Sequence, residues 1–154
     1  MSLKIGDKAP DFTLPTDGNS TIALKAQRGK KVIVYFYPKD DTSGCTTEAC
    51  GFRDAMPDFS KADATIIGIS RDPVRAHDKF KQKYSLPFVL ASDEGGEVCE
   101  KYGVWVEKSM YGRKYMGIER TTVLIDENGV IRGLWPKVKI DGHVGEVLAA
   151  AKSL

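Results

Sequence analysis

Histidine and cysteine are scarce in this chain, with two of the first and three of the second among 154 residues. Three cysteines are too few to staple a small secreted scaffold, and the odd count leaves one over. In a reducing compartment a close cysteine pair reads as catalytic or redox-active, so the chain is expected in the cytoplasm. A metal centre has weak support, because His77 and His143 both stand far from the Cys45 and Cys50 pair in sequence. Long apolar runs are also missing. None approaches the ~20 residues that span a bilayer, and Met1 to Gly6 has no apolar signal region. Charge of one sign is missing too. With 23 basic and 21 acidic residues the net charge is only +2, which gives no electrostatic case for nucleic acid or a membrane surface. There is no repeat, no low-complexity stretch and no linker, so residues 1–154 are expected to form one domain.

The chemistry is concentrated between Val32 and Phe59. Val32 to Tyr37 is an unbroken β-branched and aromatic run, the pattern of a strand buried on both faces. Pro38 cannot donate to a sheet ladder and ends it. Lys39 to Gly44 is turn chemistry, and Cys45 onward reads as helix with Thr42 or Ser43 as N-cap. Cys45 therefore stands in the first turn of a helix that follows a buried strand. Free N–H groups and the positive end of the helix dipole favour a thiolate there. The same groups suit an incoming oxygen. Thr42, three residues upstream, can bring a hydroxyl to the sulfur or its substrate.

Cys50 is five residues on. In an intact helix the two Cα atoms would stand ~8.6 Å apart, beyond the ~7 Å reach of a disulfide. The two thiols either never bond or do so after the start of the helix unwinds.

The rest of the chain alternates strands and helices. Phe12–Pro15 and Thr21–Leu24 flank a turn as two short strands. Ala64–Ser70 is a second buried strand, and Asp72 and Pro73 are placed as N-cap and first residue of a helix. His77 on that helix is expected at the surface or an edge. Pro57 is expected to kink or shorten the cysteine helix. Leu86–Ala91 is a strand, and Ser92-Asp93 caps a short helix bearing Cys99, expected as a small buried residue or, less favoured, an alternative resolving thiol. Lys108–Met116 is expected as a loop or hairpin beside the site, and Ile118–Ile125 as one strand. Asp126–Gly129 is a hairpin turn, followed by Val130–Trp135 and a last helix with Val144, Val147, Leu148 and Ala151 inward. This order indicates an α/β fold with helices on both faces of a sheet.

Pro38-x-x-x-Thr42-x-x-Cys45, with Cys50 five residues further, resembles the active-site motif of the peroxiredoxins, in the bacterioferritin-comigratory (PrxQ) subgroup. The resemblance extends along nearly the whole chain. Ser43 is a departure, since many relatives carry proline there. The resemblance implies a thioredoxin-like fold with an N-terminal β-hairpin extension, its central mixed sheet flanked by helices. It implies a peroxidatic Cys45, a resolving Cys50, Thr42 and Pro38 shaping the site, and Arg120 as the fixed positive charge. It further implies hydroperoxide as substrate, thioredoxin or glutaredoxin as reductant, a monomer, and no cofactor or metal on the chain. Two other classes compete. A thioredoxin-type oxidoreductase would want Cys-x-x-Cys, not the Cys-x4-Cys present. A non-enzymatic redox sensor or chaperone-like protein could use the same unwinding as a switch, and only repeated turnover separates it from a peroxidase.

Overall fold

The computed structural model describes residues 3–154; Met1 and Ser2, part of the segment judged to lack a signal region, lie outside the described residues. The frame is a seven-stranded mixed sheet in the order β2-β1-β5-β4-β3-β8-β9. At its centre β3 (Lys31–Phe36) runs parallel to β4 (Ala64–Ser70), which runs parallel to β5 (Val89–Ser92). On the other side β8 (Thr121–Ile125) pairs antiparallel with β3, and β9 (Ile131–Trp135) with β8. The hairpin of β1 (Thr13–Thr16) and β2 (Ser20–Ala23) joins the far edge through Thr16 opposite Ala91. This is the mixed sheet with an N-terminal hairpin that the resemblance implies.

Alternation along β3 divides the core. Val32, Val34 and Phe36 point into one cluster with Ala9, Phe12, Val98, Cys99 and Tyr102. Ile33, Tyr35 and Tyr37 point into the other with Cys45, Phe52, Phe80 and Val147. Helices α1 (Ser43–Lys61), α2 (Val74–Tyr84) and α4 (His143–Lys152) cover the second face, and α3 (Glu97–Lys101) packs on the first. A strand buried on both faces can carry such a continuous apolar run because neither side meets water. Cys45 and Cys99 fall in separate clusters because α1 and α3 pack on opposite faces.

Four local expectations change. Pro57 does not shorten α1, which runs one more turn to Lys61 with Pro57 exposed. The N-cap of α2 is Pro73, not Asp72; the Asp72 carboxylate instead accepts bonds from the Asp40 N–H at 2.8 Å and the Ser70 hydroxyl at 2.6 Å. Ile118–Ile125 is not one strand. β7 (Arg113–Ile118) ends and β8 begins at Thr121, and in the gap the Arg120 carbonyl accepts the Val138 N–H. Val130 lies outside β9 and makes an isolated bridge to Lys8. The expected hairpin is present as β6 (Trp105–Met110) with β7, and Asp93 binds the N–H groups of Val98 and Cys99 at the start of α3.

Gly68 lies under the Tyr35 ring, and a Cβ there would stand 2.9 Å from Tyr35 Cζ and 3.0 Å from Leu90 Cδ2. Backbone and ring are both fixed, so Gly68→Ala is expected to destabilise the fold by about 1–3 kcal/mol, read as a lowered urea midpoint with unchanged m.

Candidate active site

Cys45 is the third residue of α1 and 1% exposed. Its side chain packs in the cluster with Tyr35, Tyr37 and Ala49. Arg120, from the gap between β7 and β8, reaches it across the sheet edge. Its Nη2 donates to Cys45 Sγ at 3.3 Å and its Nη1 to Glu48 Oε1 at 2.8 Å. The guanidinium fork thus bridges the sulfur and a carboxylate one helical turn further on, a geometry that lysine could not supply. Gly44 makes room for it. A Cβ at Gly44 would lie 3.2 Å from Arg120 Nη2 and 3.3 Å from Ile140 Cδ1.

Glu48 is 1% exposed, and its Oε2 has no partner among the described residues. Burial pushes its carboxyl up to about 7, against the downward pull of Arg120. Burial alone would lower the Arg120 guanidinium, but the charges of Glu48 and Cys45 raise it. Arginine stays charged at any working pH, so the carboxyl is the member of the pair that titrates near neutrality. Glu48 escaped the sequence reading. Its only signal there is the three-residue spacing from Cys45, which puts both on one helix face.

The N-cap of α1 is Thr42, but its side chain makes no cap bond. Its hydroxyl donates to the Lys39 carbonyl at 2.8 Å, which leaves its oxygen lone pairs as acceptors. Pro38 is exposed at the bend after β3. Cys50 is half-buried on the same continuous helix, and Cys45, Cys50 and Cys99 are free thiols. Cys99 is buried on the opposite face of the sheet, where burial and then the bond to Asp93 push its thiol far up. The half-buried Lys108 of β6 faces the site. Burial first, then the Arg120 charge, lowers its ammonium.

His77 is not at the surface. It is fully buried, with Nδ1 2.6 Å from Asp40 Oδ2 and Nε2 3.1 Å from the Ala91 carbonyl oxygen. Asp40 lies in the loop that delivers Thr42. A lone histidine on a helix gave no hint of a partner 37 residues away.

The AhpC/TSA family profile matches residues 5–134. The chain is 62% identical over 148 residues to the putative peroxiredoxin bcp of Coxiella burnetii, covering 96% of this chain and 98% of that one. It is 47% identical over 154 residues to peroxiredoxin Bcp of Bacillus subtilis, covering 100% and 98%. The chain belongs to the AhpC/TSA family, in the Bcp (PrxQ) group of peroxiredoxins. The bacterioferritin comigratory protein of Xanthomonas campestris, solved in trapped-intermediate and ligand complexes bearing on its alkyl peroxide reduction activity, superposes with a TM-score of 0.90 at 41% identity, covering 99% of this chain and 97% of that one. A peroxiredoxin is a peroxidase, so a hydroperoxide is the substrate and a thiol the reductant. Among the described residues no helix is long and apolar enough to cross a membrane.

Two expectations follow from this geometry. Between pH about 4.5 and about 7 the unfolded chain has released the Glu48 proton while the folded one keeps it. Stability therefore falls as pH rises through that window, by at most about 3 kcal/mol. Glu48→Gln is expected to flatten this slope in urea midpoints taken at pH 5 and 7.5. Gly44→Ala, which crowds Arg120, is expected to slow Cys45 oxidation by about tenfold with little change in unfolding midpoint, measured by stopped-flow peroxide mixing.

Proposed function

We propose that Cys45 is the peroxidatic thiol and Cys50 the resolving one. The observation that carries this is the Arg120 guanidinium bonded at once to Cys45 Sγ and Glu48 at the first turn of α1. A thiolate accepts that bond better than a thiol does. The helix N-terminus and the same guanidinium can hold peroxide oxygen and the charge that develops on the departing one. Thr42, its proton already donated to Lys39, can accept the peroxide O–H. Pro38 shapes the mouth of this loop.

In the first step the Cys45 thiolate attacks one peroxide oxygen. The S–O bond forms, the O–O bond breaks, and the leaving oxygen takes a proton to depart as water or an alcohol. Sulfur is oxidised to sulfenic acid. The first turns of α1 then unwind, because helical spacing holds the two cysteines too far apart to bond. The Cys50 thiolate attacks the sulfenic sulfur, a disulfide forms and water leaves. An external dithiol protein, thioredoxin or glutaredoxin, reduces the disulfide by exchange. Cys50 is half-buried, so both partners of the disulfide reach that protein only in the unwound form. An intramolecular resolving thiol needs no second copy, which supports a monomer acting as one domain, with no cofactor or metal in the cycle. The X. campestris relative's alkyl peroxide reduction supports organic hydroperoxides as substrates beside hydrogen peroxide.

The test is consumption of hydrogen peroxide and cumene hydroperoxide with thioredoxin, thioredoxin reductase and NADPH, and with glutaredoxin and glutathione in parallel. Cys45→Ser is expected to fall to background. Arg120→Met is expected to lose about 100-fold in the oxidation rate constant. Cys50→Ser is expected to be oxidised once and stall as the sulfenic acid. Full turnover by Cys45→Ser would sink the assignment, and a parent protein that consumes one equivalent and stops with every reductant would point to the sensor.

A further inference from the structure

The loop that delivers Thr42 and Pro38 is fixed by groups that the chemistry does not use. Thr42 makes a side-chain bond only within the loop, to Lys39. Its place is inherited from Asp40 and Asp41. Asp41 is left-handed, with φ +56°, a turn conformation that aspartate tolerates better than most non-glycine residues.

Two ties hold this turn, and both lead to α2. One is exposed: the Asp41 carboxylate meets Lys83 Nζ at 2.8 Å and Tyr84 Oη at 2.9 Å. Solvent screens such pairs and leaves them weak. The other is buried. The Asp40 carboxylate accepts the Tyr37 hydroxyl at 2.5 Å on Oδ1 and lies 2.6 Å from His77 Nδ1 on Oδ2. His77 Nε2 faces a carbonyl, which only accepts, so that nitrogen carries hydrogen. Nδ1 and Oδ2 stand at hydrogen-bond distance. The Asp40 N–H is bound by Asp72, itself bound by the Ser70 hydroxyl at the end of β4. Asp40, Asp72 and His77 bring their donor atoms within 4.8 Å of one another, as cation ligands would. Yet both Asp40 oxygens, both His77 nitrogens and Asp72 Oδ2 are already engaged in the bonds just described, so the cluster reads as a hydrogen-bond network. A buried, fully bonded pair of this kind is costly to break from one side.

We propose that Asp40 and His77 are positioning residues, a buried clamp that holds the Pro38–Thr42 loop in the form that meets peroxide and so sets the balance between attack by Cys45 and unwinding of the helix start. His77 is in turn held against β5 through Ala91, so the loop is registered to the sheet whose strand β8 begins directly after Arg120. The clamp belongs to the folded form. Loosening it misplaces Thr42 and Pro38, slows oxidation, and eases the unwinding that lets Cys50 reach the sulfenic acid.

The half of this that concerns resolution rests on the Cys45–Cys50 reading; the half that concerns oxidation does not. The experiment uses full-length protein and hydrogen peroxide. Oxidation of Cys45 is timed by stopped flow in a Cys50→Ser background, disulfide formation in the Cys50-containing chain, and sulfinic acid per turnover by mass spectrometry at high peroxide. Asp40→Asn and His77→Gln are expected to slow oxidation about 10- to 100-fold, to leave disulfide formation as fast or faster, and to lower the sulfinic fraction. Lys83→Ala, which cuts only the exposed tie, is expected to match the parent. Oxidation within twofold of the parent in folded Asp40→Asn, or oxidation and disulfide formation slowed in equal measure, would overturn the clamp. If Asp40→Asn does not fold, Tyr37→Phe decides, since it removes one bond to Asp40 and leaves the pair: slower oxidation supports the proposal and an unchanged rate overturns it. A parent chain that forms no Cys45–Cys50 disulfide removes the resolving role, and the oxidation rates still judge the clamp.

Discussion

One guanidinium holds this site together. Arg120 is shared between the Cys45 sulfur and the Glu48 carboxylate, and each of the three is a poor occupant of its place without the others. The sulfur lies in an apolar cluster, the carboxyl is buried with one oxygen unpartnered, and the cation is only 17% exposed. Burying charges is unfavourable unless they are paired and bonded. In the proposed cycle that constraint has a use, because a cation held partly out of water interacts more strongly with charge that forms on sulfur or on a departing oxygen. Gly44 and the break between β7 and β8 follow from it. The first clears a path for the guanidinium, and the second lets its backbone leave the strand at the point where the side chain must cross to α1.

The same face carries a second buried polar network only a few residues upstream, in Tyr37, Asp40 and His77. Tyr35 stacks between Tyr37 and Phe52, 5.3 Å from the first ring and 4.8 Å from the second. Packed aromatic rings of this kind are stiff. The cysteine helix thus starts between two sets of fixed charges, while its body is held by ordinary apolar packing of Ala49, Phe52 and Phe59. The proposed unwinding would take Cys45 and Ala49 out of the apolar cluster and release the Arg120 bond, while Phe52 and Phe59 further along the helix stay packed.

The sheet and the cysteine helix were legible because each rests on local pattern. An unbroken run from Val32 to Tyr37 has no place but the middle of a sheet, and Pro38 with the polar turn after it ends the strand where it does end. Cys45 in the first turn needed only the cap and turn chemistry of Thr42 to Gly44. The failures share one cause. His77 reads as a surface or edge residue because nothing on its own helix points to Asp40. Asp72 looked like a cap because the competing Asp40 N–H was invisible. Ile118 to Ile125 looked continuous because the Val138 N–H that takes the Arg120 carbonyl lies 18 residues ahead. Glu48 looked like any polar residue on an exposed helix.

By itself the sequence determined the α/β order of elements, the thiol at a helix N-terminus and a second thiol too far along the same helix to bond without unwinding. Those are consequences of chain geometry over a few residues. Residue pattern left many cations within reach of the sulfur, and the family resemblance singled out Arg120; only the tertiary structure decided that Glu48 is buried enough to titrate near neutrality and that Asp40 and His77 close on each other. The Arg120 bond to Cys45 joins residues 75 apart in the chain. Desolvation and charge pairing act over a few ångströms of space, and composition and periodicity say nothing about which distant side chains share those ångströms.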